Sequence, residues 1–378
     1  MAEVAKATLD DKLNVLVAKF KAVNDLYIEK IAEQINAIGE LNATSIHRLT
    51  VMAQTNANML EVSAELAKAC HIAMADLADI YRTALEDVKT DPRFAQAIEQ
   101  RQFTDTTNAR LRQLTEAVSR QTMGTIQNLS NTTIFSPSYR QAIDKAVLAG
   151  TSGVTDYKSA VRDVIKQVGY SGMQIHYPSG YHRRLDTAVR QNVINGINQI
   201  AQQSSMIMGE ALGYDAVEIS AHARSAPDHE PVQGRVFLME EYTKMQNGDD
   251  FVDVDGRSYA GFRRPIGEWN CMHLAMSFDT RTSVRKFTDK QLEDFKEKNA
   301  EGCEVNGKKM SLYRAGQLMR QIETEVRRQK DVRKAAKLVE DKALEDQCNK
   351  RIDALVAYYK QVSTASGIRQ RKDRMTID

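Results

Sequence analysis

The sequence predicts a mainly α protein with a small central α+β module. It also predicts an N-terminal helical bundle or coiled coil and long basic helices toward the C-terminus. Two observations support this fold class. Only 6 prolines and 19 glycines interrupt the 378 residues, and aromatic residues make up only 6% of them. Apolar residues recur at helical spacing over most of the chain, and short strand-like segments are confined to its centre.

The N-terminal region, residues 1–135, is predicted to be a helical bundle or coiled coil that binds a partner. Residues 9–90 contain one glycine and no proline. Apolar residues recur there about every 3.5 residues, which is typical of a seam between packed helices. Asp91-Pro92 is predicted to end or kink this run, because proline disfavours helical geometry in the preceding residue. The seam residues are Leu9, Leu13, Leu16, Phe20, Val23, Tyr27, Leu49, Met52, Met59, Leu66, Cys70, Ala73, Leu77 and Ile80.

Residues 136–213 are predicted to form a helical linker domain. Residues 157–168 are expected to be a helix that ends at Gly169, because glycine commonly follows the last helical residue. A short strand is predicted at residues 173–177. A long amphipathic helix follows and ends near Gly213.

Residues 214–287 differ from the rest and are predicted to form a small α+β module. Short apolar segments alternate here with turn residues, and Asp255-Gly256 is a hairpin turn signal. Residues 277–280 are expected to form a turn. The predicted strands are residues 217–220, 235–239, 251–254 and 257–259.

Residues 288–378 are predicted to be a basic helical tail, with long helices at 312–333 and 335–359. Segment 281–378 carries more Lys and Arg than Asp and Glu, whereas the preceding residues are net acidic. Such asymmetry can indicate a tail that faces nucleic acid. A solvated helix surface is the alternative, because acidic residues are interleaved throughout the segment.

Composition argues against several other classes of protein. No apolar run approaches the ~20 residues needed to cross a bilayer, and the first residues lack the apolar block of a signal peptide. We therefore expect synthesis in a cytosol. The four scattered cysteines do not resemble a disulfide framework.

His222, His229, Cys271 and His273 form a candidate metal site in the central module. A Cys-x-His pair places two ligands on one short turn, and His-x6-His supplies a second pair from a loop. Zinc accepts mixed nitrogen and sulfur ligands, and four protein ligands make a structural site. We therefore expect these residues to hold one structural zinc ion. The alternative is a buried thiol beside histidines that hydrogen-bond to the loop backbone.

The same histidines allow an enzyme interpretation as a metal-dependent nuclease or toxin. A His-Asn-His nuclease needs a His base, an Asn that orients it and a metal-binding His on a ββα unit. Asn270 and His273 have suitable side chains, but residues 277–280 after them are predicted to be a turn and not a helix. No catalytic residue is therefore assigned.

Several sequence blocks occur in a defined order between about Tyr139 and Gln361. Their order and spacing resemble the phage minor capsid protein 2 family, which is related to the Mu F-like head-morphogenesis proteins. The chain departs from the family pattern at Pro231-Val232, where an acidic or small residue followed by tryptophan is expected. The blocks are YKSAVR (157–162), IHYPSG (175–180), RRLDTAVR (183–190), GINQ (196–199), SAHARSAPDH (220–229), QGRVF (233–237), NCMH (270–273) and residues 313–329.

The resemblance implies a structural protein inside the phage head, with residues 214–287 as the minor-capsid core module. It implies a role in head assembly, DNA packaging or ejection, together with the portal and/or the major capsid protein. Packaged DNA is a further expected partner, through residues 281–378. We expect a multimeric protein of the virion, present in the host cytoplasm during assembly, with no membrane contact in the assembled head. Residues 1–135 taken alone would also fit a non-viral coiled-coil scaffold.

Overall fold

A computed structural model describes residues 3–38, 60–133, 157–176, 181–267 and 271–376. These residues are mainly helical and contain only small sheets, which confirms the predicted fold class. Within these ranges, every helix is too short or too polar to span a lipid bilayer. The helices are α1 (Glu3–Ile38), α2 (Leu60–Lys89), α3 (Pro92–Glu99), α4 (Asp105–Thr133), α5 (Tyr157–Ser171), α6 (Leu185–Ala211), α7 (Met239–Asn247), α8 (Asp289–Glu301), α9 (Leu312–Leu338) and α10 (Lys342–Ser366). The strands are β1 (Gln174–His176), β2 (His182–Arg184), β3 (Ala216–Ile219), β4 (Val236–Leu238), β5 (Phe251–Val252), β6 (Ser258–Tyr259), β7 (Ala275–Phe278), β8 (Cys303–Val305) and β9 (Lys308–Met310).

The chain divides into two compact units, and each unit gathers three separate stretches. The four consecutive regions predicted from the sequence divide the chain by function and not by compactness. That division stays a prediction. Unit 1 contains Met1–Leu13, Met74–Met123 and Gln191–Gln317. Unit 2 contains Asn14–Ala73, Gly124–Arg190 and Leu318–Asp378.

A three-stranded antiparallel sheet lies at the centre of unit 1. Its order is β4-β3-β7, and Val217 of the middle strand lies opposite Phe237 and Ser277. The sheet and its connections bury an apolar core, and Ala216, Val236 and Phe278 form a second buried cluster. The core residues are Val217, Ile219, Val232, Phe237, Tyr242, Met245, Phe251, Ile266 and Ala275. The remaining strands form the antiparallel pairs β1/β2, β5/β6 and β8/β9.

The predicted N-terminal seam is helical and buried within a single copy of the chain. Leu16, Phe20 and Leu77 have no exposed surface, and the other described seam residues are at most 5% exposed. Burial of this apolar stripe therefore does not require a second chain, which favours the helical-bundle alternative. Leu49, Met52 and Met59 lie outside the described residues.

The structure confirms the predicted helix break at Asp91-Pro92. The Asp91 carboxylate accepts a hydrogen bond from the amide of Arg93 at 3.0 Å, and Pro92 occupies the first position of α3. This pairing is favourable because the first helical amides have no partner inside the helix. The break therefore results from a cap and not from a kink.

The predicted end of the helix at Gly169 is wrong, because α5 continues to Ser171. A Cβ atom on Gly169 would lie 2.6 Å from the backbone Cα of Val332, which is closer than real atoms approach. Gly169 therefore permits close backbone contact with α9 inside unit 2. The helix stops before Gly172, which has a φ of +57° that favours glycine.

The structure adds several elements that the sequence prediction missed, including strand β2. Residues 277–280 were expected to form a turn, but Ser277 lies in β7, a strand too short to show a clear alternating pattern. A hairpin of β8 and β9 interrupts the predicted helical tail, and Asn306-Gly307 at its turn both have positive φ. That dipeptide is a hairpin signal. Helix α7 is a further addition.

Unit 2 buries a network of ionic side chains. Asp331 is 1% exposed; it forms an ion pair with Arg184 and lies 3.2 Å from the ammonium group of Lys21. Arg184 and Arg327 also pair with Asp186, at 3.3 and 3.0 Å. Burial alone would raise the pKa of Asp186, but the guanidinium groups of Arg327 and Arg184 outweigh burial and lower this pKa to about 2. Because each charge has a partner, the cost of removing these groups from water is offset.

The Gly169→Ala variant tests the close contact inside unit 2. We expect it to destabilise the protein by ~1–3 kcal/mol, because the added methyl group must displace the backbone of Val332. The matched control is Gly124→Ala in α4, where a Cβ atom would meet nothing within 4 Å. The control should stabilise the protein by ~0.5–1 kcal/mol. Thermal unfolding measures both, and equal midpoint shifts of the same sign would contradict this interpretation.

Candidate functional site

The sheet of unit 1 brings two distant loops together. Strands β3 and β7 are antiparallel, with Ile219 opposite Ala275. The amide of Ser220 donates a further hydrogen bond to the carbonyl of Leu274 at 2.8 Å. The loop that follows β3 must therefore meet the loop that precedes β7. These two loops carry the four predicted metal ligands.

Three of the four predicted ligands converge in a buried cluster. Nδ1 of His229 lies 3.1 Å from Sγ of Cys271, and Nδ1 of His273 lies 3.5 Å from the same sulfur. One potential ligand atom from each residue lies within 4.8 Å of the other two. His229, Cys271 and His273 are 0%, 3% and 2% exposed. We call these three residues the His/Cys cluster.

His222 lies beside the His/Cys cluster but outside its set of converging atoms. Its ring stacks on His273, with centroids 4.5 Å apart and planes inclined by 21°. Its Nδ1 accepts a hydrogen bond from the amide of Arg224 at 3.3 Å. Three of the four predicted ligands therefore converge, and the imidazole of the fourth, His222, stacks on His273.

The contacts of His229 determine which of its nitrogens carries hydrogen. Nε2 lies 2.7 Å from the carbonyl oxygen of Arg264, which can only accept. Nε2 therefore carries the proton, and Nδ1 presents a lone pair to the sulfur of Cys271. The guanidinium of Arg264 also approaches Nδ1 at 3.5 Å, but Asp228 balances its charge through contacts of 2.6 and 3.1 Å.

The same reasoning applies to His273. Its Nε2 lies 3.4 Å from Oε1 of Gln233 and 3.3 Å from the hydroxyl of Ser225. Oε1 of Gln233 also accepts from the amide of His222 at 3.0 Å, which identifies it as oxygen. The Ser225 hydroxyl donates to the carbonyl of Ala226. Nε2 therefore donates, and Nδ1 presents its lone pair to Cys271.

Burial keeps the His/Cys cluster uncharged. Desolvation lowers the pKa of His229. Desolvation, followed by the neighbouring His222 and His229, lowers the pKa of His273 to about 2. Burial raises the pKa of the Cys271 thiol. At neutral pH the cluster thus has two imidazole lone pairs and one protonated sulfur, which are ligand groups that zinc prefers.

The geometry does not support the nuclease interpretation. His273 is followed directly by strand β7, and the next helix, α8, begins only at Asp289. A ββα metal unit would require a helix immediately after this histidine. Asn270, the proposed orienting residue, lies outside the described residues. The low exposure of the cluster also suits a structural role better than access by a polymeric substrate.

Sequence reasoning missed the residues that orient the imidazoles. Gln233 lies in a block that carries the family resemblance, so a signal for it existed. Arg264 contributes through its backbone carbonyl, which no residue pattern could reveal. Ser225 is held by Asn299 of α8, whose side-chain amide donates to the Ser225 carbonyl at 3.2 Å.

Comparison with known proteins identifies the family. The model of the family described as phage minor capsid protein 2 matches residues 4–361. The chain therefore belongs to the phage minor capsid protein 2 family. The match includes the N-terminal helices, where the sequence showed no recognisable motif. Neither a curated protein nor a solved structure shows significant similarity to the chain.

Family membership supports a structural role in a phage and a location in the virion. It confirms the resemblance found in the sequence. It also argues against the alternative of a non-viral coiled-coil scaffold. Minor capsid proteins are typically structural, which fits the expectation that this protein is not an enzyme.

Thiol labelling tests the burial of the site. Cys70, Cys271, Cys303 and Cys348 are all buried thiols that form no disulfide. Because thiolates are the reactive form and burial raises the pKa of Cys271, the native protein should react slowly with a chromogenic disulfide reagent. Denaturant should expose all four thiols. A rapid reaction of one thiol that disappears in Cys271→Ser would show that the site is open to solvent.

Proposed function

We propose that this protein is a structural component of the phage head that acts in head assembly, DNA packaging or ejection, in contact with the portal and/or the major capsid protein. The observation that carries this proposal is the family match over residues 4–361. The protein would be multimeric in the particle and present in the host cytoplasm while heads assemble. The structural role also fits the buried position of the His/Cys cluster, which suits stabilisation better than turnover of a substrate.

An apolar patch on unit 1 is the surface that we propose for docking to a neighbouring head protein. The amide of Val254 donates to the carbonyl of Val236 at 3.0 Å, which brings the segment after β5 next to β4. Leu238, Val252 and Val254 are 45%, 39% and 43% exposed. Adjacent Met239 is 39% exposed. Clustered apolar side chains on a protein surface often mark an interaction site, and a virion protein has neighbouring subunits available to cover them.

Incorporation into particles tests this role. Phage that lacks the protein should be complemented by the wild-type chain, and the protein should be recovered in purified heads. Replacing Leu238 and Val252 by Glu should reduce its amount per particle at least about tenfold, because each charge must be desolvated on docking. The matched control is Val356→Glu in α10, since Val356 is also 39% exposed.

Two outcomes would contradict the proposal. Normal, infectious heads without the protein would argue against the assembly role. Equal loss of the patch variant and the Val356→Glu control, with both chains folded by circular dichroism, would argue against the patch as the docking surface.

Contact with packaged DNA is the second proposed interaction of the protein, and we assign it to segment 281–378. Several basic residues of this segment are already paired inside unit 2. Arg327 contacts Asp186, Arg328 contacts Glu325 and Lys334 contacts Glu29. Within unit 2, we assign the DNA contact to exposed cations of α10. These are Lys342, Lys350, Arg351 and Lys360.

Salt dependence tests the DNA contact. About four phosphate contacts should weaken binding of the full chain to duplex DNA by roughly 10²-fold between 50 and 200 mM salt. Replacing the four exposed cations of α10 by Glu should abolish retention at low salt. Undiminished binding of that variant would show that the contact lies elsewhere, and no binding of the wild-type chain would support a solvated helix surface.

A further inference from the structure

We propose that His229, Cys271 and His273 bind one structural zinc ion, and that His222 completes the site as the fourth ligand. The ion would join the loop after β3 to the loop before β7 inside unit 1. This inference does not depend on the role in head assembly. Metal binding can be measured on the isolated protein, so the two proposals can fail separately.

The His/Cys cluster has fewer hydrogens than lone pairs that need one, and this shortage favours a bound cation. Nε2 of His229 and Nε2 of His273 each face an acceptor oxygen, so both Nδ1 atoms carry lone pairs. Both lone pairs point at Sγ of Cys271, from 3.1 and 3.5 Å. A thiol has one hydrogen and can satisfy only one of them. Without a cation, the thiol hydrogen serves only one nitrogen. If it serves His273, Nδ1 of His229 is left with the long 3.5 Å contact from the guanidinium of Arg264, and a poorly satisfied buried acceptor is costly.

The distances suit zinc. With Zn–N near 2.0 Å and Zn–S near 2.3 Å, tetrahedral ligands place nitrogen and sulfur about 3.5 Å apart. The two nitrogen–sulfur distances in the cluster, 3.1 and 3.5 Å, are close to this value. Small movements of the side chains would therefore place an ion between the three atoms.

The surroundings of the histidines also match those of a metal site. Histidines that bind zinc commonly donate their other ring hydrogen to a carbonyl or carboxylate oxygen, which fixes the tautomer. The carbonyl of Arg264 does this for His229, and Oε1 of Gln233 does so for His273. Asp228 balances the charge of Arg264. These oxygens are not metal ligands themselves, but they hold the two imidazoles in the orientation and tautomer that metal binding requires.

His222 is the imidazole best placed to complete the site. Its ring centroid lies 4.5 Å from that of His273, and its Nδ1 accepts a backbone hydrogen bond. Nε2 is therefore the atom that would bind the metal, after rotation of the side chain away from the stacked position. Zinc would replace the hydrogen on Cys271, and this proton would be released to solvent.

Metal analysis of the full-length protein provides the first test. Protein purified without chelator should carry about one zinc per chain. Cys271→Ser should lower the zinc content at least about tenfold, because the sulfur ligand is lost. Cys303→Ser is the matched control, since Cys303 is also a buried thiol of unit 1 but lies in β8. Wild-type protein that neither contains zinc nor takes it up from solution would overturn the proposal, as would equal loss in both variants.

A second measurement needs no variant, in case Cys271→Ser fails to fold. A mercurial added to the wild-type protein should release zinc as it modifies the thiol, and a chromogenic chelator reports the release. Zinc that stays bound after complete modification of the cysteines would exclude Cys271 as a ligand and overturn the proposal.

Cobalt substitution tests His222 in particular. The wild-type protein loaded with Co²⁺ should show intense visible absorption of a tetrahedral site with a sulfur ligand. His222→Ala should weaken metal binding at least about tenfold and change this spectrum. Unchanged affinity and spectrum in His222→Ala would overturn the assignment of the fourth ligand. His229→Ala should lose binding in the same assay, which confirms that the assay detects a missing ligand.

Discussion

Every polar group removed from water in this protein needs a partner, and much of the interior follows from that constraint. In unit 2, buried Asp331 is shared by Arg184 and Lys21, which come from β2 and α1. In unit 1, the outer edge of β7 is bound by side chains of α6: Gln202 accepts from the amide of Ala275, and Ser205 accepts from that of Ser277. The edge of the sheet is therefore protected from pairing with another chain.

The His/Cys cluster is one place in the described residues where this pairing is incomplete with protein atoms alone. A helical chain with few aromatic residues has limited means of fixing long loops, and the loops around the cluster contain little regular structure. A metal bound between them would supply the missing partner and hold the loops at the same time. For a structural protein of a virion, rigidity of unit 1 matters more than access to a reactive group.

Local patterns allowed prediction of the fold class, the buried seam and the helix break at Asp91-Pro92. They also allowed prediction of the four candidate ligands, because Cys-x-His and paired histidines are visible without a structure. Other features depend on contacts between distant residues. Gly169 looks like a helix end, yet it serves a contact with Val332, and the oxygen that orients His229 belongs to the backbone of Arg264. The hairpin at Asn306-Gly307 did have a sequence signal, and it was overlooked within a helical pattern.

Each unit is assembled from three separate stretches of the chain, and this has a consequence for synthesis on the ribosome. Unit 1 requires residues up to Gln317, and unit 2 requires residues from Leu318–Asp378. The apolar face of α1 is made first but can be covered fully only after these late stretches emerge. Nascent chains would therefore expose apolar helices during most of translation, a period in which chaperones bind and premature association occurs. Timing of chain completion, and not only stability of the finished fold, would then determine how much folded protein is available for the virion.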